Sequence, residues 1–264
     1  MLRLRCGLVS GSSKLLALAP VAREVAAEWG LELGARFDRA SYSYVVTAGE
    51  NTVLKVVPPD DDEADQEADA LALWNGAGAM RLVRHDRRRR VLLLERARPG
   101  SDISELPEDT ATAIAIDVAT RLWQPAGEPF RWIGDHVPGW LDNAQRAGEP
   151  GHELVPLART LYRSLDVGRS VLVHGDLHHH NILDTGRDYR AIDPKPMLGE
   201  REYDVPSFLW NPTSSTLEAD RTERRLAAFA AAGLDQDRMR AWAVIRGAYL
   251  GVDPDEAALL RALL

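Results

Sequence analysis

The stretch VLVHGDLHHHNIL, residues 171–183, restricts the fold more than any other part of the chain. Its two apolar ends read as β-like, and between them lies a tight polar loop with four histidines, one aspartate and one asparagine. Two chemistries compete for such a segment. His174 and His178 are four apart, the spacing at which a helix offers two imidazoles to zinc. Against this, Gly175 directly follows His174, a poor start for a helix, and the consecutive His178, His179 and His180 cannot all converge on one ion from a loop. The other reading rests on oxygen atoms. Asp176 and Asn181 are separated by four residues, and Asp193 arrives twelve residues after Asn181, at the end of the next short hairpin.

His174-Gly175-Asp176-x-x-x-x-Asn181, followed by Ile192-Asp193-Pro194, resembles the catalytic segment of protein-kinase-like enzymes, H-R-D-x-x-x-x-N with a metal-binding Asp downstream. That chemistry needs a carboxylate to accept a hydroxyl proton as the hydroxyl attacks a γ-phosphoryl group. It also needs an amide oxygen and a second carboxylate to hold Mg2+ against the phosphates, since hard cations prefer oxygen ligands. Asp176 fits the first part, Asn181 and Asp193 the second. Either element alone would be a weak signal; the two in order are specific.

The rest of the chain falls in line. Residues 19–30 read as a helix, and SYSYVVTAGENTVLKVVPP as a hairpin turning near Gly49 and stopped by Pro58-Pro59. Lys55 lies in the second strand among valines and a leucine. In the kinase-like reading it pairs with the α/β-phosphates; taken alone it would be a snorkelling surface lysine. The acidic run DDDEADQEADALALW fits the first turns of a helix, with Ala64, Ala68, Leu71 and Trp74 inward. Glu67 shares that face and is expected to orient Lys55, with Glu63 as the rival. MRLVRHD and VLLLER form a second β pair around Arg87–Arg90, expected to be a solvated turn rather than a nucleic-acid contact. VLLLERARPG ends where such folds place the hinge, so Glu95 and Ala97 are expected beside the adenine.

Beyond residue 95 the pattern turns helical, with apolar spacing at Ile114, Val118 and Leu122, and again at Leu154, Leu157, Leu161 and Leu165. A small hairpin, Ile182–Asp184 with Tyr189–Ile192, interrupts it, and helices resume from about residue 217. The expected fold is α+β and bilobal, a protein-kinase-like fold. Residues 1–94 form a small β-rich nucleotide-binding lobe with one or two helices. Residues 95–264 form a larger, mainly helical catalytic and acceptor-binding lobe, with 95–100 as the hinge.

Read together, EADALALWNGAGAMRLVRHD, VLLLERARPG, HGDLHHHNIL and AIDPKPMLGEREYDV identify the chain as similar to the aminoglycoside phosphotransferase family, in its streptomycin 6-kinase and hydroxyurea phosphotransferase branch. The resemblance implies ATP and Mg2+, with Asp176 as catalytic base, Asn181 and Asp193 as metal ligands, and Lys55 and Glu67 at the phosphates. It puts Ser41 and Ser43 in the loop over the phosphates, where DRASYSYVV lacks the glycines of protein kinases. Asp204 matches a supporting carboxylate behind the catalytic loop. Glu200, Glu202, Trp210 and Asn211 are candidates for the acceptor, a small polar molecule whose cationic groups carboxylates would meet.

Composition narrows the remaining classes. A net charge of −8 and a pI near 5.4 do not suit a nucleic-acid binder. A single cysteine, Cys6, permits neither an intrachain disulfide nor a Cys-rich zinc site. No apolar run reaches the length of a membrane span, and the expected location is cytoplasmic, with no protein partner implied. The leading expectation is an O-phosphotransferase for a streptomycin-type aminoglycoside. A kinase of hydroxyurea or another metabolite, and a nucleotide-binding protein without turnover, are the alternatives.

Overall fold

The structure, a computed structural model, describes residues 11–37, 40, 42–148, 150–212 and 218–264. Cys6 and Ser41 lie outside them. Two helices, α1 (Gly11–Leu16) and α2 (Ala19–Trp29), lead into an antiparallel sheet. Its strands are β1 (Leu33–Arg36), β2 (Tyr44–Ala48), β3 (Thr52–Val56), β4 (Leu82–Asp86) and β5 (Val91–Glu95), in the order β1-β2-β3-β5-β4. A third helix, α3 (Glu67–Trp74), crosses between β3 and β4. Strand periodicity sorts the side chains. Leu54, Val56, Val91 and Leu93 face α2 and bury Ala22 and Val25, whereas Leu92 and Leu94 face α3 with Leu71 and Trp74. Both faces of β5 are covered, which is why VLLL runs apolar without alternation. Lys55, odd in register with Leu54 and Val56, is thereby turned toward α3.

The acidic run does not begin the helix as expected: α3 starts only at Glu67, and residues 57–66 form turns. Of its carboxylates, Glu67 and Asp69 occupy the first turn of α3, while Asp65 reaches Arg90 and Glu63 reaches Lys195. In the arginine turn Arg87 and Arg88 are exposed, as expected of a solvated turn, while Arg89 and Arg90 are half-buried. Arg87 pairs with Asp69, and Arg89 with Glu24, Glu28 and Asp86, lacing the hairpin tip to α2 and α3.

The C-terminal region is built on α4 (Glu108–Leu122), α5 (Ile133–Ala147), α6 (Val155–Leu165), and two short β pairs. The first joins β6 (Val171–Val173) to β9 (Met197–Gly199), and the second joins β7 (Ile182–Asp184) to β8 (Tyr189–Ala191). Helices α7 (Val205–Leu209), α8 (Ala219–Ala231), α9 (Gln236–Leu250) and α10 (Pro254–Ala262) complete it. Helix α9 is buried on all sides over 241–248, where Trp242, Val244, Ile245 and Ala248 pack with Arg246 among them, and so runs through the helical region. The whole is a bilobal protein-kinase-like fold, with three helices beside the sheet. No described helix is long and apolar enough to cross a membrane.

Candidate active site

Strand β6 ends at Val173, and the loop that begins at His174 is braced from behind. The Asp204 carboxylate accepts from the backbone N–H of His174 at 2.9 Å, from that of Gly175 at 2.7 Å, and from the Trp123 indole at 2.9 Å. Arg246, buried on α9, donates to the Gly175 carbonyl at 3.0 Å and to the Ser207 hydroxyl at 2.9 Å. The His174 ring is fully buried. Its Nδ1 accepts from the Asp176 N–H at 3.3 Å, so Nε2 carries the proton toward the Ile192 carbonyl at 3.1 Å. Burial holds its pKa below the usual value, against the pull of Asp204 and Asp176, which keeps this bracing tautomer neutral. The ring lies parallel to Trp74, whose N–H is spent on the Leu122 carbonyl at 2.7 Å.

The zinc reading ends here, because the histidines diverge. His178 Nδ1 accepts from the His180 N–H; His180 pairs with Asp102 at 3.0 Å; His179 is buried against the Phe208 ring at 4.1 Å, beside Arg225. Among the described residues no three His, Cys, Asp or Glu side chains gather as metal ligands.

The oxygen donors do gather. Asn181, a buried side chain, donates its amide N–H to the Asp176 carbonyl at 2.9 Å, so its amide oxygen is the atom of that group able to accept or to ligate. Ile192 N–H donates to the Asn181 carbonyl at 2.9 Å, drawing the β8 end alongside. Asp193 follows with φ +57°, a left-handed backbone that Asp tolerates, and its carboxylate accepts from Lys55 at 2.6 Å. Lys55 also holds both oxygens of Glu67, at 2.7 and 2.8 Å. Burial alone would lower the pKa of Lys55, but the Asp193 and Glu67 carboxylates outweigh it and hold the ammonium charged. Burial pushes the Glu67 carboxyl up to about 7, with Lys55 pulling the other way. Asp193, despite burial that would raise it, is held below the usual carboxylate range by Lys55. Its side chain remains 36% exposed. Asp193 and the Asn181 amide oxygen therefore fit a hard cation that keeps most of its other ligands from water or phosphate. Glu67, not Glu63, is the partner of Lys55.

Other expected residues are placed as follows. Ser43 is buried just before β2. Glu95 closes β5; its N–H donates to the Arg81 carbonyl at 3.0 Å, and its carboxylate pairs with Arg190 at 3.0 Å. Ala97 follows, half-buried. Glu200 and Glu202 are both buried within the fold. Glu200 holds Arg238 and accepts from the Trp242 indole at 2.5 Å, and Glu202 accepts from the Asp235 N–H at 3.2 Å. Both are committed to helix α9 and its N-cap, so neither is carried forward as an acceptor contact. Asn211 donates to the Ser207 carbonyl at 2.9 Å, and the Trp210 indole N–H beside it is buried with no partner among the described residues.

Sequence reasoning missed Trp123, Arg246 and Lys195. The first two are distant in sequence from the loop they brace and carry no local signal. Lys195 lies 3.9 Å from Asp176 and 3.0 Å from Glu63, and its position two residues after Asp193 was a signal that could have been used.

Residues 36–257 match the family model described as aminoglycoside/hydroxyurea antibiotic resistance kinase. The chain is 32% identical to a streptomycin 3″-kinase of Klebsiella pneumoniae over 205 residues, 73% of this chain and 75% of that protein. It is 29% identical to a hydroxyurea phosphotransferase of Kitasatospora aureofaciens over 275 residues, 97% of this chain and 80% of the relative. Among solved structures, a choline/ethanolamine kinase family protein from Mesorhizobium loti superposes with a TM-score of 0.63 at 15% identity, covering 92% of this chain and 84% of that one. The streptomycin–ATP–APH(2″)-IIa ternary complex superposes with a TM-score of 0.58 at 14% identity, covering 93% and 95%.

Proposed function

This chain is a phosphotransferase of the aminoglycoside/hydroxyurea antibiotic resistance kinase family, and from that premise we propose that it moves the γ-phosphoryl group of ATP onto a hydroxyl of a streptomycin-type aminoglycoside. The observation that carries the reading is the buried Lys55 bonded to both Glu67 and Asp193, with Asn181 tied to the Asp176 carbonyl in the loop that follows β6. Asp176 accepts the hydroxyl proton as the hydroxyl oxygen attacks phosphorus. Lys55 offsets charge on the α/β-phosphates, and Glu67 fixes where its ammonium points. Asn181 and Asp193 would hold Mg2+, which when bound supplies positive charge to the phosphate oxygens. Catalysis is then positioning and electrostatics, with the rigid backing of Asp204 and Arg246 keeping Asp176 in place.

The acceptor is a small polar molecule. A streptomycin-type compound is supported by the 32% identical relative and by a net charge of −8, which favours a cationic acceptor. A hydroxyurea or metabolite acceptor is the second reading, supported by the 29% identical relative. Domain limits of 1–94 and 95–264 remain part of this proposal.

The test is acceptor-dependent ADP release with Mg-ATP across streptomycin, 2-deoxystreptamine aminoglycosides, hydroxyurea and simple amino sugars. Streptomycin is expected to stimulate, and Asp176→Asn to abolish the rate while Mg-ATP binding persists. Stimulation by hydroxyurea alone selects the second reading. Equal turnover by Asp176→Asn removes the base assignment.

A further inference from the structure

The chain has three lysines against 29 arginines, and two of the three lie at the proposed phosphate site. Lys14 pairs with Asp60 on the surface, and Lys55 is the buried cation already described. Lys195 has been given no role. We infer that Lys195 is the second phosphate-facing cation, holding the γ-phosphoryl group on the acceptor side of the site, with Glu63 as the counter-ion that positions it. The inference rests on the phosphotransferase reading of the same site and deepens it.

The backbone of Lys195 is fixed to the loop that carries Asp176. Its N–H donates to the His174 carbonyl at 2.8 Å, and its own carbonyl packs directly over Gly175. Its side chain therefore starts from a rigid point beside the proposed base. From there the ammonium reaches Glu63 at 3.0 Å and Asp176 at 3.9 Å, and it lies 5.6 Å from the centre of the Tyr42 ring. Glu63 and Tyr42 come from the N-terminal region, Asp176 from the C-terminal one, so the ammonium sits between the two. Lys55 is buried in the grip of Glu67 and Asp193.

Charge requires such a group. Asp176, Glu63 and Asp193 bring three carboxylates close to Lys195, and of these Lys55 answers only Asp193. A γ-phosphoryl group approaching Asp176 would meet repulsion that falls on the acceptor side, where Lys195 is the nearest ammonium. In the transfer, the acceptor oxygen forms its bond to the γ-phosphorus. The bond from phosphorus to the β–γ bridging oxygen breaks, its electron pair leaving with ADP, and the hydroxyl proton passes to Asp176. Lys195 offsets charge on the equatorial oxygens of the group in flight. A lysine suits this place because its ammonium is a point charge on a flexible stem, able to leave one oxygen of Glu63 for a phosphate oxygen.

The experiment needs no acceptor. Dissociation constants for Mg-ATP and Mg-ADP are measured by calorimetry on the full chain, for the wild type, Lys195→Met and Lys195→Arg. A contact to the γ-phosphoryl group alone predicts that Lys195→Met weakens ATP by about tenfold, the size of one charge-assisted hydrogen bond, while ADP is nearly unchanged. Lys195→Arg is expected to restore most of the preference for ATP. A purely structural lysine would weaken both nucleotides together, and an unchanged ATP-to-ADP ratio in Lys195→Met overturns the inference while leaving the phosphotransferase reading intact. Wild-type protein that binds neither nucleotide overturns both. Lys195→Gln, which keeps length and polarity, carries the same expectation if the methionine variant does not fold.

Discussion

Gly175 shows how much one residue of the loop must satisfy. Its φ is +83°, its N–H is held by Asp204 at 2.7 Å, and its carbonyl by Arg246 at 3.0 Å. A Cβ at this position would stand 2.1 Å from the Lys195 carbonyl oxygen and 2.9 Å from its carbon, both backbone atoms that cannot swing aside. The left-handed conformation alone costs a non-glycine residue roughly 1–2 kcal/mol, and the collision adds to it by prising the Asp176 loop from the segment bearing Asp193 and Lys195. Gly175→Ala is therefore expected to lower the melting temperature and to abolish phosphoryl transfer, though it removes no reacting group. Calorimetry together with ADP release checks this, and a wild-type rate in the alanine variant would refute the packing argument. From the sequence, Gly175 was legible only as a residue that denies His174 a helix. The reason it must be glycine lies twenty residues downstream, where no local pattern points.

Elements with a clean period were legible, and those held by remote partners were not. The hairpin of β2 and β3 and the pair β4 and β5 follow from β-branched runs and turns, and α2, α4 and α6 from apolar spacing. Helix α5 was missed because Pro138 and Gly139 interrupt it. The proline leaves the Gly134 carbonyl without its helical donor, and the Tyr162 hydroxyl of α6 donates to it at 3.2 Å instead. The stripe on α4 was read partly wrong, since Ala111, Ala115 and Ala119 are buried while Ile114 is only half-buried; small residues let the neighbouring elements come close. Glu200 and Glu202 looked like acceptor contacts because a carboxylate in sequence does not reveal its partner. Glu200 joins the end of β9 to α9 through Arg238 and Trp242. Glu200→Ala leaves a guanidinium and an indole N–H without their carboxylate, and the expected loss is about 3 kcal/mol or more of stability. Urea unfolding measures it. Glu200→Gln, which can still accept from the indole, should lose less. A glutamine variant of unchanged stability but raised acceptor KM would return Glu200 to the acceptor site.

At the scale of the whole molecule, the sheet and the helical region are coupled through ion pairs and one stacked ring. Lys55 with Asp193, Glu63 with Lys195, and Glu95 with Arg190 span the two, and the neutral ring of His174 stacks on Trp74 between them. None of these pairings is visible in sequence, because each joins segments that only the folded chain brings together. Titration of the buried histidines and of Glu67 gives a test of the fold that requires no substrate. Burial, with Arg225 nearby, holds the His179 pKa down to about 3, against an ordinary value of 6.5, and burial also lowers His174 and His178. Between pH 3 and 6.5 the unfolded chain therefore binds more protons at His179 than the folded one does. Its stabilising contribution is complete above pH 6.5 and is lost as pH falls, at no more than about 1.4 kcal/mol per pH unit. Glu67 works in the opposite sense. Its folded pKa of about 7 lies above the ordinary 4.5, so its contribution is complete below pH 4.5 and fades as pH rises toward 7. The slope of wild-type stability with pH is the net of these terms, and a single curve cannot separate them. The difference between wild type and His179→Gln can, because Glu67 and the other histidines are common to both. Glutamine accepts from Arg225 as the imidazole does but cannot be protonated. Urea unfolding at pH 7.5, 6.5 and 5.5 should show the stability gap between the two proteins narrowing as pH falls, because only the wild type loses stability to protonation of His179 in the unfolded chain. A gap that stays constant over this range would mean that His179 titrates alike in both states, and that the Phe208 stack does not keep it neutral.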